Sequence, residues 1–204
     1  MKLFLAKGTI SIAVAITLEE AGVGYDPVVV DFAAGEQTKP AYLAINPKGR
    51  VPCLITDHGR LTETGAILEY IAALAPAAGL IPQDAFVAAQ MREVMYYIAS
   101  TLHVNHAHKL RGHRWADLEA SFADMRAKVP QTMAAGCAYL EQEVLRGPYV
   151  LGEAFTLADV YLFVVTTWLA GDGVDVAAYP KLSAFVAAME VRASVRAVRV
   201  QGWL

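Results

Sequence analysis

The chain has 204 residues, 56% of them hydrophobic and 18% charged, with a mean hydropathy of +0.38 and a formal net charge of −3 at pH 7. That apolar content excludes a disordered chain, and the balance of charge offers no basic surface for nucleic acid. The length fits one or two domains.

Taken in order, "KLFL" (2–5) is a short apolar run stopped by Lys7-Gly8 and predicts a buried strand. From Ser11 the apolar spacing turns helical, through Ile12, Ala15, Ile16 and Leu18, and it stops at Gly22 and Gly24. The valine-rich "YDPVVVDF" (25–32) predicts a second strand. A polar loop covers 33–38, and "PAYLAIN" (40–46) predicts a short helix with proline in its first turn. "CLIT" and "RLT" around Asp57-His58-Gly59 predict a β-hairpin. In "ETGAILEYIAALA" (63–75), Ile67, Tyr70, Ile71 and Leu74 share one helix face.

After Pro76 the texture changes. The Pro/Gly-punctuated stretch 76–85 marks a domain boundary, and everything beyond it is helical in pattern. Met91, Met95, Ile98 and Leu102 form one stripe, and residues 117–146 predict a long helix with Pro130 inside it. "TLADVYLFVVTTWLA" begins with a capping-box spacing, Thr156 to Asp159, and is apolar nearly all round, so it predicts a buried central helix. A last helical stretch, 179–198, closes the chain. The expected domains are 1–77, an α/β unit, and 85–204, an all-helical unit.

The apolar run after Lys2 is interrupted by Lys7, Gly8 and Thr9, so no secretory leader is expected. The longest apolar run, 160–170, is about half the ~20 residues of a membrane span. Cys53 and Cys137 belong to no paired motif and are expected to be free thiols, which fits a reducing cytoplasm.

A βαβ unit followed by a ββα unit is the thioredoxin-like plan. It accounts for Pro52, which stands inside an otherwise strand-like stretch although proline cannot donate to a ladder. In that plan a cis-proline precedes a central strand. The N–H and C=O of Val51 would then face a cleft and bridge a peptide-like ligand.

"YLAINPKGRVPCL" together with "LTETGAILEYIA" resembles the loop, cis-proline and helix of the cytosolic glutathione transferase family, most nearly its bacterial beta-type members. "FTLADVYLF" (155–163) resembles the folding signature of that family's helical domain. The resemblance covers nearly the whole chain. It implies a cytosolic homodimer with a thioredoxin-like N-terminal domain that binds glutathione as co-substrate. A small hydrophobic electrophile or a disulfide would lie against the helical domain.

Glutathione carries one amine, two carboxylates and a thiol. Val51 and Pro52 provide the backbone bridge. Glu63 and Thr64 sit where a strand gives way to a helix, whose free N–H groups favour a carboxylate; Glu63 suits the ammonium. Both also fit ordinary roles, Thr64 as a helix cap and Glu63 as a solvated first-turn acid. Lys39 is the candidate for the glycyl carboxylate.

The thiol activator is where the sequence departs from the family. Ile10 stands where beta-type members carry cysteine, and Leu5 where other classes carry tyrosine. Two hydroxyls flank the gap. Ser11 is the first candidate, because it begins the helix pattern, and Thr9 the second; Ser11 is equally suited to be an N-cap.

"TLH" (101–103) resembles the beta-type segment whose histidine faces the glutathione site, which makes His103 a candidate to steady the thiolate or the substrate, although the lysine that follows there is Val104 here. No metal is expected: His103, His106, His108 and His113 carry neither an HExxH pattern nor a cysteine pair. Tyr96, Tyr97, Met95 and Trp168 are candidate walls of an apolar pocket, and Cys53 is a core residue. The reading is an enzyme that conjugates glutathione to electrophiles. Two alternatives stand beside it: a non-catalytic glutathione-binding scaffold, favoured by Ile10, and a glutathione-dependent disulfide or peroxide reductase.

Overall fold

The computed structural model describes all 204 residues. The chain divides into two compact units: Met1–Pro82 together with Glu190–Leu204, and Gln83–Met189.

The first unit is built on a four-stranded sheet of order β2-β1-β3-β4, from β1 (Lys2–Leu5), β2 (Asp26–Val29), β3 (Cys53–Thr56) and β4 (Gly59–Thr62). β1 and β2 are parallel, joined through α1 (Ser11–Ala21), while β3 runs antiparallel to β1 and to β4. β2 is shorter than its sequence pattern. Pro27 confines it to the edge, and Asp31 ends it by accepting the Ala34 N–H. The hairpin turn is Asp57-His58, with Thr56 opposite Gly59.

α2 (Pro40–Ile45) and α3 (Thr64–Leu74) complete the α/β unit. Every residue of α1 from Ser11 to Leu18 is buried, so this helix is core all round rather than amphipathic. Cys53 lies in a cluster with Phe4, Val30 and Tyr42, and burial pushes its thiol pKa up. The core role expected of Cys53 therefore matches its place.

The closing segment differs from the sequence reading, which placed all of 85–204 in the helical unit. α9 (Ala193–Val200) packs on α1 instead. Arg192 grips Glu20 through Nε at 2.7 Å and Nη2 at 2.8 Å, and Ser194 donates to the same carboxylate. Gly8 N–H donates to the Trp203 carbonyl at 2.9 Å. Helical periodicity states that 193–200 is a helix; it does not state which core the helix covers.

The second unit is helical: α4 (Ala85–Tyr97), α5 (His103–Ala107), α6 (Glu119–Tyr139), α7 (Leu157–Thr166) and α8 (Pro180–Glu190), whose last residue belongs to the first unit. Wide turns at Ile98–Leu102 and Leu140–Val144 follow α4 and α6. The stripe Met91, Met95, Ile98, Leu102 is buried throughout, and so is every residue of α7. The start of α7 is fixed by Asp159, which accepts Thr156 N–H at 2.7 Å and Val150 N–H at 2.6 Å. No helix is long and apolar enough to cross a membrane.

Candidate functional site

The glutathione-binding candidates belong to the first unit. Residues 46–51 are held from below. The Tyr42 hydroxyl and the Asn46 amide both donate to the Arg50 carbonyl at 2.7 Å. Gly49 has φ +61, and a Cβ there would meet the Gln37 carbonyl at 3.1 Å, so glycine is required. This frame presents Val51, whose N–H and C=O enter no hydrogen bond of the chain. The Val51–Pro52 peptide is cis.

β4 ends against Glu63, which has φ 71 and ψ 117, the one non-glycine residue with a left-handed φ. Such strain costs on the order of 1–3 kcal/mol and concentrates at functional sites. The first bond inside α3 runs from Ile67 N–H to the Glu63 carbonyl at 3.1 Å. Thr64, Gly65 and Ala66 therefore leave their N–H groups open at the positive end of an 11-residue helix. No side chain caps α3, and the Thr64 hydroxyl makes no hydrogen bond within the chain. The capping role open to Thr64 in the sequence is thus not the one it takes.

Glu63 is not alone. Lys48 Nζ lies 2.5 Å from its Oε1 and 2.9 Å from Thr62 Oγ1. Sequence reasoning missed Lys48; its signal was a lysine in the turn just before Val51, and the turn geometry was needed to aim it. Lys39 stands exposed at the start of α2, and its ammonium makes no ion pair in the chain.

The two candidate hydroxyls meet. Thr9 Oγ1 and Ser11 Oγ are 2.7 Å apart, Thr9 Oγ1 is 2.8 Å from the Ala6 carbonyl, and Ala6 N–H donates to Ser11 Oγ at 3.0 Å. Ser11 is 0% exposed, and Thr9, half-buried, is the hydroxyl nearer solvent. Ser11 is not the N-cap. Ile10 holds that position, and the Ser11 oxygen serves Ala6.

The distances allow Thr9 to donate to Ala6 O and Ser11 to donate to Thr9; they also allow the Thr9–Ser11 bond to run the other way, with Ser11 Oγ 3.4 Å from Ala6 O. In the first pattern, if Thr9 turns its proton outward, Ser11 still donates to its oxygen and Ala6 O keeps the Thr9 N–H at 3.3 Å.

In the helical unit, His103 begins α5 with its ring 5.2 Å from that of Trp168. Tyr97 lines a cavity of about 270 Å3 with Tyr139, Val94 and Val150. Of the other expected pocket walls, Met95 and Trp168 are buried and Tyr96 is exposed. The Cys137 thiol is pushed up to about 12 by burial.

Comparison with known proteins matches residues 1–73 to the glutathione S-transferase N-terminal domain and 116–188 to the glutathione S-transferase C-terminal domain. Glutathione S-transferase GstA of Escherichia coli O157:H7 is 31% identical over 96% of both chains. The chain belongs to the glutathione S-transferase family. It is also similar to a glutathione transferase homologue from Sulfitobacter, solved with bound glutathione. That homologue is 62% identical, with a TM-score of 0.98 and coverage of 100% of this chain and 98% of the other. A maleylacetoacetate isomerase of Pseudomonas aeruginosa is 31% identical over 89% of this chain and 87% of its own. The thioredoxin-like sheet and the helical unit are those of this family's fold.

Proposed function

We propose that the protein binds glutathione on its first unit and transfers the thiolate to small electrophiles. The observation that carries this reading is the meeting, in one unit, of an unbonded Val51 backbone with an open α3 N-terminus flanked by Glu63 and Lys48. A tripeptide needs these features: a main-chain bridge, donors for a carboxylate, and an acid for its amine. The Sulfitobacter homologue with bound glutathione supports it.

In this reading Val51 and Pro52 hold the peptide, Thr64 and the α3 amides take one carboxylate, and Glu63 takes the ammonium. Lys48 or Lys39 takes the other carboxylate. Thr9 turns outward to the thiol, with Ser11 behind it. A free thiol has a pKa of about 8.5, and each unit of depression is about 1.36 kcal/mol. One hydrogen bond to a charged group, about 1.5–3 kcal/mol, supplies one to two units. A homodimer in a reducing cytoplasm is the setting the family resemblance implies.

The scaffold reading keeps one observation in its favour: with Ile10 in place of cysteine, the only hydroxyls beside the gap are already bonded inward. Retention on immobilised glutathione followed by an assay with 1-chloro-2,4-dinitrobenzene decides. Retention with turnover is expected; retention without turnover makes the protein a binder, and turnover only in disulfide exchange makes it a reductase.

A further inference from the structure

The cavity of about 270 Å3 that Tyr97 lines takes no part in the roles above, and every residue around it belongs to the second unit. Its walls come from α4 and from the end of α6 with the segment beyond it. Two contacts fix how these run past each other. The Tyr97 and Tyr139 rings meet with centroids 4.9 Å apart, and Arg146 Nη1 donates to Gln90 Oε1 at 3.2 Å. Glu93 stands four positions from Tyr97 and three from Gln90, and Glu143 stands four from Tyr139 and three from Arg146. Both glutamates line the cavity. They therefore share one level, between an aromatic layer and an amide–guanidinium layer.

Neither carboxylate enters a hydrogen bond or an ion pair of the chain. Arg146, the one cation of the lining, is held by Gln90 instead. Two like charges at one level repel, and a cation between them would relieve both. The floor is apolar, with Val94, Val144 and Val150 all buried. Burial, and then Tyr139 and Cys137, push the Tyr97 phenol up, so it stays uncharged near neutrality. Neutral tyrosine faces attract cations. The volume falls just under the roughly 300–1,000 Å3 of drug-sized sites, which sets a small ligand.

We propose that this cavity binds a small organic cation, a primary arylalkylamine with one positive charge on an aromatic body. The ammonium lies between Glu93 and Glu143, and the ring packs on the Tyr97–Tyr139 wall over the valine floor. Arg146, at the other end, repels a second positive charge and so disfavours linear diamines. All of these groups belong to the second unit, so the inference stands apart from the transferase reading.

Calorimetry on the full-length protein with 2-phenylethylamine tests it. Saturable binding at one site is expected. The uncharged 2-phenylethanol should bind at least about 10-fold more weakly, in line with the loss of a charged hydrogen bond. No heat is expected with 3-phenylpropanoate or 1,4-diaminobutane. Glu93→Gln and Glu143→Gln should each weaken the amine about 10-fold, and Tyr139→Leu about 5-fold. Glu93 and Glu143 are exposed, so the thermal midpoints of the glutamine variants should not fall. No heat with the amine, equal binding of the alcohol, the carboxylate or the diamine, or glutamine variants that bind the amine as the wild type does overturns the proposal. Glutathione is absent from every arm, so failure here leaves the transferase reading standing. Failure of retention on immobilised glutathione, in turn, leaves the amine site standing.

Discussion

Ser11 stands directly behind Thr9, their hydroxyl oxygens 2.7 Å apart, with Ser11 fully buried and Thr9 half-buried. A pair arranged this way divides the work between a group that faces outward and one that supports it. Thr9→Val should therefore raise the pKa of bound glutathione by one to two units and lower conjugation about 10- to 100-fold at neutral pH, from the loss of a charged-group hydrogen bond of about 1.5–3 kcal/mol. Ser11→Ala should cost less rate. It should lower stability instead, because the Ala6 N–H loses its acceptor. Thiolate absorbance against pH and thermal unfolding read the two effects separately.

Glu63 is held at φ 71 with its carboxylate on Lys48. Glu63→Gln should weaken glutathione binding about 10- to 100-fold by calorimetry, as expected for loss of a charged hydrogen bond. Lys48→Met should weaken it by a smaller factor. Glu63→Gly should raise the unfolding midpoint by relieving about 1 kcal/mol or more of backbone strain, while binding falls. A midpoint that does not rise would place no strain there.

The Glu20–Arg192 clasp sets an acid response. Burial works to raise the Glu20 carboxyl; the Arg192 and Ser194 bonds and the Arg192 charge outweigh it and hold the group below the usual glutamate range. A depressed carboxyl contributes stability above its unfolded pKa of about 4.3 and loses it as pH falls through the folded value. Arg192→Met should cost about 2 kcal/mol near neutrality. Its difference from wild type in chemical denaturation should shrink steadily below about pH 4.3.

Asp159 accepts two backbone N–H groups and the Thr156 hydroxyl, and it is 0% exposed. Asp159→Ala leaves both amides without an acceptor, at about 1–3 kcal/mol each. Thr156→Ala removes less, about 1 kcal/mol. Guanidinium midpoints should rank wild type, Thr156→Ala, Asp159→Ala.

The sequence was most readable where one element decides its own form. The alternation around Asp57-His58, the stripe Met91 to Leu102 and the Thr156–Asp159 spacing each carry their structure locally. What it hid depends on distant partners. Lys48 meets Glu63 across 15 positions, Glu20 meets Arg192 across 172, and His106 meets Asp172 across 66. The Thr9–Ser11 order was hidden differently: both hydroxyls fit the loop, and only the depth of burial separates them.

The bond from Gly8 N–H to the Trp203 carbonyl joins the segment after α9 to the turn that leads into Thr9. The turn that carries Thr9 is therefore fastened only once α9 has docked on α1, so the earliest loop of the chain takes its final form among the latest events of folding.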